Sequence, residues 1–310
     1  MRNTCILKYN QLTLLSLVCL FTFNNHTSAI SLERAKPVDI SNENPTEWVF
    51  KQVDGKELKM SVFLPDNYAD SEREFPCILF FHGGGWKGGK HSWHFPDCRY
   101  WSKRGVVAVS VDYRLKDRDS VEVPLECVKD AKSAVRFLRA NANELKIDTE
   151  KIVCAGASAG GQLAAATAMI TDPKSNDDVY NLSISCIPNG LILYNPYFKC
   201  EEWLSPKHHI VEGLPPTIIF SGGADPVVLE QEMVDFNNSV KQAGNISELY
   251  IGKNRRHGFC IGIKKTNRFF YWSLELADQF LSKQGILSGK PMVERPDGVL
   301  PLKEEEFSRY

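Results

Sequence analysis

The sequence predicts an α/β chain: a mostly parallel, eight-stranded sheet with helices on both faces and a small cap insertion. Two observations carry that reading. Short runs rich in β-branched and aromatic residues alternate with longer stretches whose apolar positions recur at helical spacing. Three of the runs also end in glycine-bearing loops, and these loops present one serine, one aspartate and one histidine: Ser158, Asp225 and His257. The carboxyl ends of strands are where open parallel sheets bind their ligands.

Residues 1–29 stand apart from that pattern. Arg2 and Lys8 supply positive charge, Leu12 to Phe23 is mostly apolar, and Thr27-Ser28-Ala29 closes the stretch with small residues. This is the layout of a signal peptide cleaved after Ala29, and it predicts export to the periplasm or the outside. The apolar core is too short for a comfortable membrane span, so none is expected after cleavage. Cys19 raises the alternative of a lipoprotein, but Leu17-Val18 before it lacks the usual small residue.

Residues 30–287 read as one catalytic domain. Strands are expected near 47–53, 57–64, 76–81, 105–111, 151–155, 187–194, 216–221 and 246–252. Helices are expected near 92–103, 125–142, 159–171, 226–243 and 266–284. Leu125, Val128, Ala131, Val135 and Leu138 give the second helix a buried stripe, and Leu229, Met233, Phe236 and Val240 do the same for the fourth. Residues 196–213, with Tyr197, Phe198, Trp203 and His208-His209, fall where a cap would wall a pocket, or else form a packed surface excursion. Residues 288–310 read as a loosely ordered C-terminal extension.

The chemistry begins at Gly156-Ala157-Ser158-Ala159-Gly160-Gly161, between an apolar strand and an alanine-rich helix. A serine on a sharp strand-to-helix turn needs small neighbours two residues away on either side, and Gly156 and Gly160 supply them. The turn exposes the Ser158 hydroxyl and aims a helix N-terminus at it. Upstream, a second apolar strand runs into His82-Gly83-Gly84-Gly85-Trp86. Bare backbone there lets amides approach a developing oxyanion, so Gly84, Gly85 and Ala159 are the expected donors.

A serine hydroxyl is a poor nucleophile near neutrality and needs a base. His257, in a loop after the last expected strand and followed by glycine, is positioned to be that base. Asp225, after Ser221-Gly222-Gly223-Ala224, is the expected partner that fixes the imidazole. Asp225-Pro226 also reads as a helix N-cap followed by a first helical position. The order along the chain is Ser158, Asp225, His257.

His82-Gly83-Gly84-Gly85-Trp86, Asp112-Tyr113-Arg114-Leu115, the Ser158 turn, Gly223-Ala224-Asp225-Pro226 and His257-Gly258-Phe259 together resemble the α/β-hydrolase esterases. The likeness covers about residues 45–285. Its nearest branches are the hormone-sensitive-lipase-like esterases and the bacterial acetyl and feruloyl esterases that act on plant polysaccharides. The first branch usually has an aspartate before the nucleophile, where this chain has Ala157, and often a larger N-terminal cap. Both departures favour the carbohydrate-esterase relatives.

That resemblance implies a serine carboxylic ester hydrolase that forms an acyl-enzyme and needs no metal or cofactor. Its expected substrates carry short acyl groups on sugars or polysaccharides, with Trp86, Trp93 and Trp203 near the site as sugar-stacking surfaces. The alternatives are a serine peptidase of the same fold and a non-catalytic binding protein that kept the fold.

A formal net charge of −1 gives no electrostatic case for nucleic acid or an anionic membrane as partner. Seven cysteines follow Ala29, so at least one stays unpaired unless it bonds to another chain. Cys77 and Cys154 lie in expected core strands and read as buried thiols, while a Cys186–Cys200 bridge is possible in an oxidising compartment. His82, His91 and His94 lie close in sequence without zinc spacing; His82 belongs to the glycine loop.

Overall fold

The computed structural model describes residues 45–177 and 180–310. The expected signal peptide, residues 1–29, lies outside the described residues, and no described helix is long and apolar enough to cross a membrane.

The chain opens with β1 (Thr46–Val53) and β2 (Lys56–Phe63), an antiparallel hairpin. Its turn is Asp54-Gly55, both at positive φ (51° and 74°), the two-residue connection whose twist matches the flanking strands. Then follow β3 (Phe75–Phe81), α1 (Phe95–Lys103), β4 (Val107–Val111), the single turn α2 (Lys116–Asp119) and α3 (Leu125–Ala140). β5 (Ile147–Ala157) leads into α4 (Ala159–Met169). The last part is β6 (Gly190–Tyr194), β7 (Thr217–Gly222), α5 (Glu230–Gln242), β8 (Ser247–Gly252), α6 (Arg268–Lys283) and β9 (Phe307–Arg309).

The strands form one sheet in the order β1-β2-β4-β3-β5-β6-β7-β8-β9. From β4 to β8 every neighbouring pair is parallel; β1, β2 and β9 run antiparallel to their neighbours. The expected eight strands are all present, and β9 is a correction to the strand count. The tail is no loose extension: Phe307 packs on Tyr250 and Trp272, and Arg268 pairs with Glu306 at 2.8 Å.

The parallel strands are buried along most of their length, as a sheet covered on both faces requires. On one face Ile78, Phe80, Ala108, Val153, Ile192, Ile218 and Phe220 meet Trp101 of α1 and Trp272, Phe280 and Leu281 of α6. Helices α3, α4 and α5 lie outside that cluster; α4 contacts β3, β5 and β6, and α5 contacts β7 and β8. The strands therefore deliver their carboxyl ends to one edge of a rigid platform, and the chemically useful loops leave from there.

Candidate active site

The turn at Ser158 has the backbone a sharp strand-to-helix reversal demands. Ser158 sits at φ 54°, ψ −117°, outside the regions a residue with a Cβ ordinarily occupies. The neighbours hold it there. Its N–H donates to Tyr194 O (2.8 Å), and its carbonyl accepts from Tyr197 N–H (2.9 Å) and Gln162 N–H (3.1 Å). A Cβ on Gly156 would lie 2.2 Å from Gly160 O, and one on Gly160 would lie 1.9 Å from Phe81 O. Glycine is thus required at both places by close packing of backbone on backbone.

The three loops converge. Ser158 Oγ stands 2.8 Å from His257 Nε2, and His257 Nδ1 stands 2.8 Å from Asp225 Oδ2. The Asp225 side chain is fully buried, while His257 is about a quarter exposed. The loops of Asp225 and His257 are zipped together, with Gly223 N–H donating to Gly252 O and Ala224 N–H to Arg255 O, both at 2.9 Å. Asp225 has two local and two distant donors: Oδ1 takes Val227 N–H (2.8 Å) and Val228 N–H (3.1 Å), and Oδ2 takes His257 Nδ1 (2.8 Å) and Asn195 Nδ2 (2.7 Å). An ionised carboxylate with its lone pairs so occupied is fixed in direction and tolerates burial.

Asp225 does cap backbone amides, but it is not the N-cap of α5. That helix begins at Glu230 with Leu229 as its cap, so the expected start at 226 is corrected. The intervening turn, closed on Asp225 Oδ1, lets the carboxylate face His257 instead of a helix end.

The glycine loop lies directly against the serine. The position a Cβ would take on Gly83 is 3.3 Å from Ser158 Cβ. Gly84 has φ 119°, which a side chain would strain, and its carbonyl accepts from the amides of Lys87 and Gly88 (both 3.2 Å). Among the described residues no acceptor takes the amides of Gly84, Gly85 or Ala159. From behind, Tyr113 braces this loop: its ring stacks on His82 at 4.4 Å and its hydroxyl donates to His82 O at 2.6 Å. Arg114 locks the same segment by charge-assisted bonds to Asp130 and Glu126. Burial pushes the His82 imidazole down to about 4, so it stays neutral, with Nδ1–H donating to Gly83 O at 2.7 Å.

A cavity of about 670 Å³ opens over Ser158. Trp86, Trp93 and Tyr197 line it, with Val123, Pro124 and Ile261. Trp86 is held by Nε1–H donation to Gln162 Oε1 (3.2 Å), and Gln162 Nε2 in turn donates to Leu204 O (2.8 Å). Trp203 is not in the lining, which corrects its expected place in the pocket. Its Nε1–H donates to Glu201 Oε2 at 2.7 Å. The excursion 196–213 splits accordingly: Tyr197, Lys199, Cys200 and Glu201 wall the cavity, and the remainder does not. Cys186 and Cys200 are both free thiols, so the possible bridge is not formed.

Sequence reasoning missed Asn195 and Gln162. Neither carries a motif; Asn195 stands out only by its place directly after β6 and its φ of 43°.

The arrangement resembles known proteins along most of its length. The BD-FAE family model matches residues 60–186. Thermogutta terrifontis esterase 2, in a structure phosphorylated by paraoxon, is 38% identical with a TM-score of 0.75, covering 80% of this chain and 96% of that one. The same esterase bound to propionate superposes with a TM-score of 0.76 at 37% identity, covering 82% and 98%. Carboxylesterase NlhH of Mycobacterium tuberculosis is 32% identical over 115 residues, 37% of this chain and 34% of that protein. Endo-1,4-beta-xylanase B of Butyrivibrio fibrisolvens is 26% identical over 227 residues, 64% of this chain and 35% of that protein. The match to these curated relatives thus spans about a third of their length. Near-complete coverage of the Thermogutta esterase at this identity, on the same fold, settles the family: the chain belongs to the α/β-hydrolase esterases, which are carboxylic ester hydrolases.

Proposed function

We propose that this protein hydrolyses carboxylic esters through an acyl-enzyme on Ser158. The observation that supports this most directly is the unbroken line Ser158 Oγ–His257 Nε2–Asp225, with both contacts at 2.8 Å. In the first half-reaction Ser158 Oγ attacks the ester carbonyl carbon, and its proton passes to His257 Nε2. The carbonyl oxygen becomes an oxyanion, which the amides of Gly84, Gly85 and Ala159 stabilise. The bond to the alcohol then breaks, and His257 returns the proton to the departing oxygen. In the second half-reaction a water attacks the acyl carbon and gives a proton to His257. The acyl bond to Oγ breaks, the acid leaves, and His257 reprotonates Ser158. Asp225 keeps Nδ1 protonated throughout and stabilises the imidazolium.

The proposed substrates are short acyl groups on sugars or polysaccharides. Three observations support that class. The cap segment lining the cavity is short, running from Tyr197 to Glu201. Trp86, Trp93 and Tyr197 offer flat faces to a sugar ring. A relative by sequence is named a xylanase. The Leu12–Phe23 stretch and Thr27-Ser28-Ala29 support export from the cytoplasm. A panel of acetylated xylan, feruloylated oligosaccharides, short-chain lipids and amides tests the class. Turnover confined to lipids or amides would overturn it.

A further inference from the structure

We propose that Asn195 positions Asp225, and that one buried water, shared with Tyr194 and the His94–Asp97 pair, fixes the direction of the Asn195 amide. The proposal rests on the hydrolase reading above.

Asn195 follows β6 directly, is 2% exposed, and holds a left-handed φ of 43°. Its N–H donates to Phe220 O at 2.7 Å, which pins the backbone between β6 and β7. Its Nδ2 donates at 2.7 Å to Asp225 Oδ2, the same oxygen that receives His257 Nδ1. The plane of the Asp225 carboxylate is therefore set from three sides: by the Val227 and Val228 amides, by His257 and by Asn195. A carboxylamide has one donating and one accepting end. If the ring of contacts behind it were indifferent, it could turn its oxygen toward the carboxylate and repel it.

What lies behind it is not indifferent. Asn195 Oδ1 and the Tyr194 hydroxyl are both buried and have no partner among the described residues. Both residues line one small cavity with His94, Asp97 and Ala157, and it adjoins the cavity over Ser158, which Tyr194, Asn195, His94 and Ala157 also border. His94 and Asp97 are each 4% exposed, and His94 Nδ1 stands 3.2 Å from Asp97 Oδ2. The cavity leaves about 10 Å³ for the centre of a water molecule to move in. That is room for a single water, and Asn195 Oδ1, the Tyr194 hydroxyl and the Asp97 carboxylate offer the two to four polar partners a buried water needs in an otherwise largely apolar lining. A water there donates one proton to Asn195 Oδ1, accepts from the Tyr194 hydroxyl, and turns its second proton to the Asp97 carboxylate. The accepting end of Asn195 is then committed, so its donating end faces Asp225.

The test measures steady-state hydrolysis of p-nitrophenyl acetate by the full chain and its variants. Asn195→Ala is expected to lower kcat by about tenfold to a hundredfold, the cost of a displaced catalytic group. KM is expected to stay within about twofold, since the loss falls on the transition state. Asn195→Asp keeps the shape and tolerates positive φ, but it replaces the donor with an acceptor. It is expected to lose at least as much kcat and, by setting two buried carboxyl groups side by side, to unfold at a lower temperature than Asn195→Ala. Tyr194→Phe removes one partner of the water without touching Asp225, and kcat is expected to fall by about threefold.

A high-resolution crystal structure should place one water within hydrogen-bond distance of Asn195 Oδ1 and the Tyr194 hydroxyl. Wild-type kcat in either Asn195 variant, or a dry cavity, would overturn the proposal while leaving the hydrolase reading intact. Wild-type protein that neither turns over esters nor reacts at Ser158 would overturn both.

Discussion

Gly160 and Phe81 approach so closely that a Cβ on the glycine would stand 1.9 Å from the Phe81 carbonyl oxygen. The helix that begins after Ser158 is thereby pressed onto the strand that feeds the glycine loop. This contact sets the distance between the nucleophile and the amides that face it. In most helices Gly→Ala gains up to about 1 kcal/mol from propensity. Here the clash with backbone decides the sign. Gly160→Ala is expected to destabilise the fold by about 1–3 kcal/mol, the usual range for overpacking. The surviving folded enzyme should lose about tenfold or more in kcat. Urea denaturation and p-nitrophenyl acetate kinetics check both.

Asp225→Asn separates the two jobs of that side chain. The amide oxygen can still accept from Val227 and Val228, so the turn and the fold should survive. The amide nitrogen then meets His257 Nδ1, which favours the wrong imidazole tautomer. The expected loss in kcat is on the order of ten-thousandfold, with an unfolding temperature lowered only modestly, because the buried Asn195 Nδ2 loses its acceptor. A folded variant that keeps kcat within about tenfold of wild type would contradict the role given to Asp225.

His82 links burial to acid stability. Desolvation lowers its imidazole from 6.5 to about 4 in the folded state. Well above pH 6.5 neither the folded nor the unfolded protein holds this proton, so His82 makes no pH-dependent contribution to stability there. As pH falls from 6.5 towards 4 the unfolded chain binds a proton that the folded one refuses, and stability is lost. The full loss is roughly 3 kcal/mol below pH 4. His82→Phe keeps a ring against Tyr113 but cannot titrate. Its unfolding free energy should fall less between about pH 7 and pH 4.5 than that of the wild type. Equal slopes would assign the acid sensitivity elsewhere.

The tail offers a control far from the chemistry. Phe307 is half-buried, with its ring centroid 5.2 Å from that of Trp272. Phe307→Ala is expected to cost about 1–2 kcal/mol, less than a fully buried phenylalanine because part of the ring already faces water. Thermal unfolding should register this, while kcat and KM stay at wild-type values.

Much of this architecture is legible in the sequence, because strands buried on both faces need unbroken apolar runs. Ile78–Phe81, Val153–Ala155 and Ile218–Phe220 are such runs, and each ends where a loop of the site begins. The glycines of the Ser158 turn are legible for the same reason: backbone packed on backbone leaves no other choice. What was not legible depends on partners distant in the chain. The strand Phe307–Arg309 is three residues long and exists only because β8 offers it an edge. Trp203 reads like Trp86 in composition, but a local bond to Glu201 accompanies its absence from the cavity wall. Pro226 looks like a first helical residue, yet Asp225 spends its Oδ1 on an extra turn and delays the helix to Glu230. Asn195 has no signature at all, since its role depends on φ and on a carboxylate thirty residues away.

The central claim is that Ser158 is the group that becomes acylated. Intact-protein and peptide mass spectrometry after treatment with a serine-reactive fluorophosphonate tests it most directly, with p-nitrophenyl acetate turnover followed in parallel. The expected result is one adduct per chain, mapped to Ser158, with ester hydrolysis lost in step. Ser158→Ala should abolish both the adduct and nearly all turnover. Ester hydrolysis that persists in Ser158→Ala, or an adduct on another residue that tracks the loss of activity, would contradict it.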